Sequence, residues 1–165
     1  MSKFDKILDK TTLIIAGVAF SAMICITTFN VFARFLFMKS FAWSEELTYM
    51  CFNWAVFFGI CNVYNSQGLI SIDSLVIRLP KGAQRKFAIV MFGIVAILNI
   101  ALTIWGWRLT LGAWQRKTAN LLIPYTFIDI CLPISTMIIC YYSIRNMIKE
   151  IKGEHVEEAS LDKRA

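Results

Sequence analysis

Three stretches of this chain, Leu13 to Ala33, Leu47 to Tyr64 and Phe87 to Trp107, contain no charged residue. A fourth, roughly Leu121 to Ile144, is apolar but interrupted by Pro124, Asp129 and Pro133. A bilayer crossing needs about 20 mostly apolar residues in a helix. A helix is required because hydrocarbon offers backbone N–H and C=O groups no partner. Composition agrees: 58% of the 165 residues are hydrophobic and mean hydropathy is +0.61. Only 17% are charged, against about 25% in a soluble domain. The expected fold is therefore an all-α integral membrane protein with four transmembrane helices.

The first apolar run follows Lys3, Lys6 and Lys10, as a secretory leader would. It is longer than the roughly 7–15 residues of such a leader, and no small-residue cleavage site follows it. It reads as a retained helix. Lys and Arg then set the orientation. The N-terminal arm, the connection between helices two and three (Arg78, Lys81, Arg85, Lys86) and the C-terminal tail hold twelve. The other two connections hold five: Arg34, Lys39, Arg108, Arg116 and Lys117. The positive-inside rule then predicts cytoplasmic N- and C-termini. The +6 net charge is a topology signal with some attraction to membrane lipids, not a nucleic-acid footprint.

Along the chain, a single four-helix membrane domain is expected over 1–152, with spans near 13–37, 43–64, 87–111 and 121–144. A polar tail without fixed structure follows over 153–165. Phe4, Ile7 and Leu8 alternate with lysines and predict a short amphipathic lead-in at the membrane surface. Met38 to Ala42 is a short link, so helices one and two should form an antiparallel pair. Ser44 is the expected N-cap of helix two, with Glu45 and Glu46 favoured in its first turn by the helix dipole. Ile72, Leu75, Val76 and Leu79 fall at helical spacing opposite Asp73, Ser74 and Arg78. That predicts an interfacial amphipathic helix over 70–79. Trp105, Trp107 and Trp114 with Arg108 and Arg116 read as an interfacial belt. For the fourth span two readings stay open. Its helix starts near Pro124 and kinks before Pro133, or Leu121 to Ile130 is a partly extended entry.

Little in the chain points to catalysis. All five cysteines lie in apolar segments, with no C-x-x-C pair, and His155 is alone in the tail. Neither a metal site nor a cofactor is expected. Glu45 and Glu46 are adjacent, so on a helix they diverge by about 100° and do not form an acid–base pair. No carboxylate stands at the centre of the first three spans, and Asp129 in the fourth is the one candidate for ion-coupled transport by this chain alone. Asn30 and Arg34 lie one turn apart at the end of helix one, facing the start of helix two. Either an exposed Arg34–glutamate pair ties the hairpin together, or one glutamate pairs with Arg34 while the other meets a partner subunit. Asn30, Asn53, Asn62 and Asn99 are candidates for bonds between helices.

NVFARFLF (30–37), FAWSEEL (41–47), FNWAVFFGICNVYNSQGLISIDSL (52–75), RLP (78–80) and LLIP (121–124) together resemble the small membrane subunit, the DctQ or Q type, of tripartite ATP-independent periplasmic (TRAP) transporters. The resemblance spans roughly residues 10 to 145. Its more specific parts are Arg34-Phe35, Trp43-Ser44-Glu45-Glu46, Gly59 and Ile72-Asp73. Leu69 stands where the family often has a histidine, so any contact of that histidine is not carried over. The resemblance implies a non-catalytic subunit in the bacterial inner membrane, bound to a large membrane subunit that carries the substrate and sodium sites. It implies transient docking of a periplasmic substrate-binding protein and transport of small organic acids. Asn30, Arg34, Trp43, Glu45, Glu46, Asp73 and Pro124 are the residues expected at subunit interfaces or in structural contacts. The alternative is a self-contained small transporter working through Asp129.

Overall fold

The computed structural model describes residues 3–38, 41–65 and 81–152. The expected interfacial helix over 70–79, with Asp73 in it, and the tail over 153–165 lie outside the described residues. Among those described, four long helices form: α1 (Lys3–Phe37), α2 (Ala42–Asn65), α3 (Lys81–Gly112) and α5 (Cys131–Lys152). A one-turn helix, α4 (Thr126–Asp129), precedes α5. Each of the four long segments is long and apolar enough to cross a membrane. The chain is a multi-pass helical membrane protein.

Three seams join these helices. α1 packs on α2, α2 on α5, and α5 on α3. The result is an open row with α5 inside it. In its most apolar stretch 44% of α5 is buried, against 11% of α1. Lipid tails are as apolar as the side chains, so packing and hydrogen bonds must hold such seams. In the α2–α5 seam Phe58 packs on Cys131, and Cys61 on Tyr142 and Ile139. Cys61 Sγ also donates to Ser135 O at 3.4 Å. Between α3 and α5, Thr103 and Thr136 share a hydroxyl bond of 2.9 Å, and Ser143 Oγ donates to Phe92 O at 2.7 Å. Asn99 was a candidate for such a bond, but its Nδ2 turns back to Val95 O in its own helix. Gly106 lets the α3 backbone approach the start of α5. A Cβ there would run into Leu132 and touch Pro133.

The helix ends follow from individual residues. α1 stops where Met38 takes a left-handed conformation, φ 52°, the conformation in which helices commonly end. The start of α1 is continuous with the rest of the helix rather than a separate surface lead-in, because Asp5, Asp9 and Leu8 turn inward onto α2 and α5. Ser44 does not cap α2. Its hydroxyl donates to Phe41 O at 2.6 Å from inside the first turn. The free Phe41 N–H is taken instead by Asn30 Oδ1 of α1, at 3.1 Å. The fourth span begins later than Leu121. Residues 116–125 form a non-helical loop, helix begins at Thr126 just after Pro124 and breaks at Ile130 before Pro133, so the reading with a start near Pro124 and a kink before Pro133 fits better. Pro133 has no N–H for Asp129 C=O, and α4 ends at Asp129. In α5 the same proline sits in the first turn, where no donor is needed.

Where α1 begins, α2 ends and α5 ends, Arg145 gathers the three. Its Nη1 lies 3.0 Å from Asp5 Oδ1 of α1, with only 17% and 5% of the two side chains exposed. Its Nη2 donates to Asn65 Oδ1 of α2 at 2.9 Å and to Asn146 Oδ1 at 3.2 Å. The guanidinium stands 5.2 Å over the Tyr142 ring. Tyr141 Oη donates to Asp5 Oδ1 at 3.1 Å, and Asn62 Nδ2 to Asp9 Oδ1 at 2.7 Å. Each seam bond is worth on the order of 0.6 kcal/mol. Breaking a buried ion pair from one side costs about 3–5 kcal/mol, so this cluster outweighs any single seam bond.

Thermal unfolding in detergent should therefore separate two variants. Arg145→Met should lose about 3 kcal/mol, while Arg145→Met combined with Asp5→Leu should recover most of it, because no charge is then left buried alone. At the α3–α5 approach, Gly106→Ala should be near neutral, since Leu132 can turn aside and alanine favours the helix. Gly106→Leu should cost roughly 1–3 kcal/mol by overpacking.

Candidate functional site

The opposite end of the molecule, where α1 ends and α2 begins, holds Asn30, Arg34, Trp43, Glu45, Glu46 and Pro124. Residues 116–125 fold into a narrow loop there. Thr118 N–H donates to Ile123 O at 2.9 Å, Tyr125 N–H to Arg116 O at 2.9 Å, and Ile123 N–H to Thr118 Oγ1 at 3.1 Å. Pro124, which has no donor to offer, pairs across the loop with Lys117. Leu122 at the tip is held at φ 55° and is 65% exposed. A left-handed leucine costs roughly 1–2 kcal/mol, so something must hold the loop closed.

Glu46 supplies that hold. Its Oε1 accepts from the Asn120 backbone N–H at 2.9 Å and from Asn120 Nδ2 at 3.0 Å. Its Oε2 accepts from Leu121 N–H at 2.9 Å. Bonds to a carboxylate are the stronger kind, and the first turn of α2 favours an anion. The Arg34–glutamate pair expected from the sequence does not form. Among the described residues no ion pair joins Arg34 to either glutamate, and Arg34 is exposed. The loop presents three fixed donors to Glu46, whereas a long arginine would lose side-chain freedom to make an exposed pair of little worth.

Glu45 points elsewhere. It is exposed and borders a groove of about 360 Å³ between α1 and α2, lined also by Met23, Thr27, Asn30, Thr48 and Tyr49. Trp43 closes a short aromatic run with Phe29 and Phe41, with successive ring centres 6.1 Å apart. That run suits a headgroup-level belt. Asp129 is half-buried at the end of α4, within electrostatic reach of Arg116. Thr126 Oγ1, one turn before it, donates to Thr110 O close to the end of α3. Asp129 therefore stands near this end of the molecule.

The structure thus brings together Glu46, Asn120 and Leu121, and separately Asn30 and Phe41. It leaves Arg34 outside both contacts. Asn120 and Leu121 were not legible as partners of Glu46, because a backbone N–H looks the same at every residue. Trp54 was also missed. Its indole N–H donates to Phe127 O at 3.0 Å and ties α2 to α4.

Two comparisons bear on this arrangement. The family described as "Tripartite ATP-independent periplasmic transporters, DctQ component" matches residues 23–153, which include Glu45, Glu46 and the 116–125 loop. A Haemophilus influenzae protein named as a TRAP transporter small permease protein is 25% identical over 151 residues, covering 91% of each chain.

The division of labour between the two glutamates can be measured by amide hydrogen exchange. Glu46→Ala should speed exchange at Asn120 and Leu121 by about tenfold, because both N–H groups lose a charged acceptor. Glu45→Ala should leave both rates unchanged.

Proposed function

The chain belongs to the DctQ component family of tripartite ATP-independent periplasmic transporters, and from that premise we propose that it is a static membrane brace. It holds a large transport subunit in the inner membrane and offers its Glu46 end, facing the periplasm, to a substrate-binding protein. Sodium drives the movement of a small organic acid through the large subunit, and this chain carries no substrate residue.

The observation that carries this reading is where the carboxylates sit. Among the described residues they cluster at the two ends of the row of helices. Asp5 and Asp9 are committed to Arg145 and Asn62, and Glu46 to the 116–125 loop. Ion-coupled flux needs an ionisable group that changes partners within the membrane. Groups fastened into the fold's own contacts serve rigidity instead. Asp129, near the end of α3, gives no support to a self-contained pump. The basic residues at the Arg145 end favour that end as cytoplasmic.

Reconstitution tests the proposal. Liposomes holding this chain alone should show no organic-acid uptake above empty vesicles, with or without a sodium gradient. A large, highly apolar membrane protein should co-purify with the tagged chain from its native membrane. Uptake should appear only when that protein, the binding protein and inward-directed sodium are all present. Robust uptake by this chain alone sinks the proposal.

A further inference from the structure

Among the described residues, every buried side-chain nitrogen or oxygen that lacks a hydrogen bond lies at the Arg145 end: Tyr64 Oη, Tyr142 Oη, Arg145 Nη1 and Asn146 Nδ2. Two of these have an answer within the fold. Arg145 Nη1 stands against Asp5 in the ion pair, and Tyr64 Oη lies beside Ser143. Tyr142 and Asn146 have none, and they are 0% and 1% exposed. A polar group so enclosed carries its full desolvation cost unless something bonds it, and buried polar groups are bonded as a rule.

Both atoms are donors with a settled setting. Asn146 Oδ1 accepts from Arg145 Nε at 3.4 Å and Nη2 at 3.2 Å. That fixes the orientation of the amide and leaves Nδ2 in need of an acceptor. Tyr142 belongs to the cluster with Cys61 of α2, against which Leu8 of α1 also packs. Its hydroxyl is within electrostatic reach of Asp9 and Asp5 on α1 and of Cys61 on α2. It therefore sits where α1, α2 and α5 meet.

The chemistry there selects the ligand. Asp9 Oδ1 accepts from Asn62, and an ionised carboxylate can accept at about four positions. Whatever stands between a stranded O–H and a carboxylate must accept from one and donate to the other. Asp5 and Asp9 repel an anion, a metal cation cannot accept from an amide N–H, and an acyl chain can do neither. Water does both, and it is stable in such a place when it has two to four polar partners.

We propose that the junction of α1, α2 and α5 beside Arg145 holds bound water, one molecule accepting from Tyr142 Oη and donating to Asp9, and its cluster reaching Asn146 Nδ2. The water joins the Asp5–Arg145 pair and the Asp9–Asn62 bond into one network across three helices. It also solvates Asp9 inside the bundle.

Synchrotron hydroxyl-radical labelling of the full chain in its native membrane tests this, because radicals formed from a bound water oxidise the side chain beside it. Tyr142 should be oxidised at least tenfold more than Phe58, which is also buried but packs among apolar groups of the α2–α5 seam. After rapid mixing into oxygen-18 water, the exposed Leu122 should take up the heavy isotope at once and Tyr142 only after a delay. Tyr142→Phe should bring labelling at position 142 down to the level of Phe58. It should also lower the unfolding midpoint by about 2–4 °C, the effect of losing one hydrogen bond in a chain of this size. Labelling of Tyr142 no stronger than that of Phe58 overturns the proposal. So does heavy-isotope uptake in step with Leu122, which means entry of bulk water by opening, or undiminished labelling in Tyr142→Phe. An unchanged or raised midpoint in Tyr142→Phe overturns it too, since removing a hydroxyl that bonds nothing relieves the fold.

Discussion

The fold depends on where Arg145 can put its charge. A guanidinium near the membrane cannot be left without partners, and this one is mostly enclosed. Asp5 answers it from the start of α1 and Asn65 from the end of α2, while Asn146 answers from the next position on α5. Three helices are thereby set in register at one end, with Tyr142 packed beneath the cation. The cost of desolvating such a pair means it adds less net stability than its short distance implies. Its effect is on specificity: any slip of α1 along α2 would strand a buried charge.

From that end the remaining structure is a matter of how far each helix is held. α2 is fastened twice, through Asn62 and Asn65 at one end and through Glu46 at the other. α5 and α3 are joined along their length by hydroxyl bonds and by the close approach at Gly106. α1 is fastened by Asp5 and Asp9 at its start and by Asn30 near its end. Between those points it has α2 on one side and little else, which is why its apolar stretch is the least buried of the four. A helix so placed is well supported as a wall but leaves a face for something outside the chain.

Much of this was legible in the sequence because lipid imposes simple rules. An uncharged run long enough to span must be helical, so four long helices followed from Leu13 to Ala33 and its counterparts. Length does not locate helix ends, which turned on single residues: Pro133 removing a donor from Asp129, and Met38 adopting a left-handed conformation that no propensity assigns it. The first turns read as a surface helix of Phe4, Ile7 and Leu8 with lysines between, and no local pattern links residues 5, 65 and 145. The Arg34–glutamate pairing was a reasonable expectation from helical spacing. It failed because the competing donors were backbone N–H groups on a loop some 75 positions away, and spacing within a hairpin carries no information about those.

The adjacency of Glu45 and Glu46 then takes on a definite meaning. Two carboxylates one position apart at a helix start share the same favourable dipole but not the same neighbours. The 100° turn between them lets one face inward and the other outward, with no distance along the chain separating the two. Glu46 fixes the loop that crowns this end, and the loop in turn packs α4 against α2 through Trp54 and Phe127. That leaves Glu46 committed within the chain and Glu45 exposed at the groove between α1 and α2.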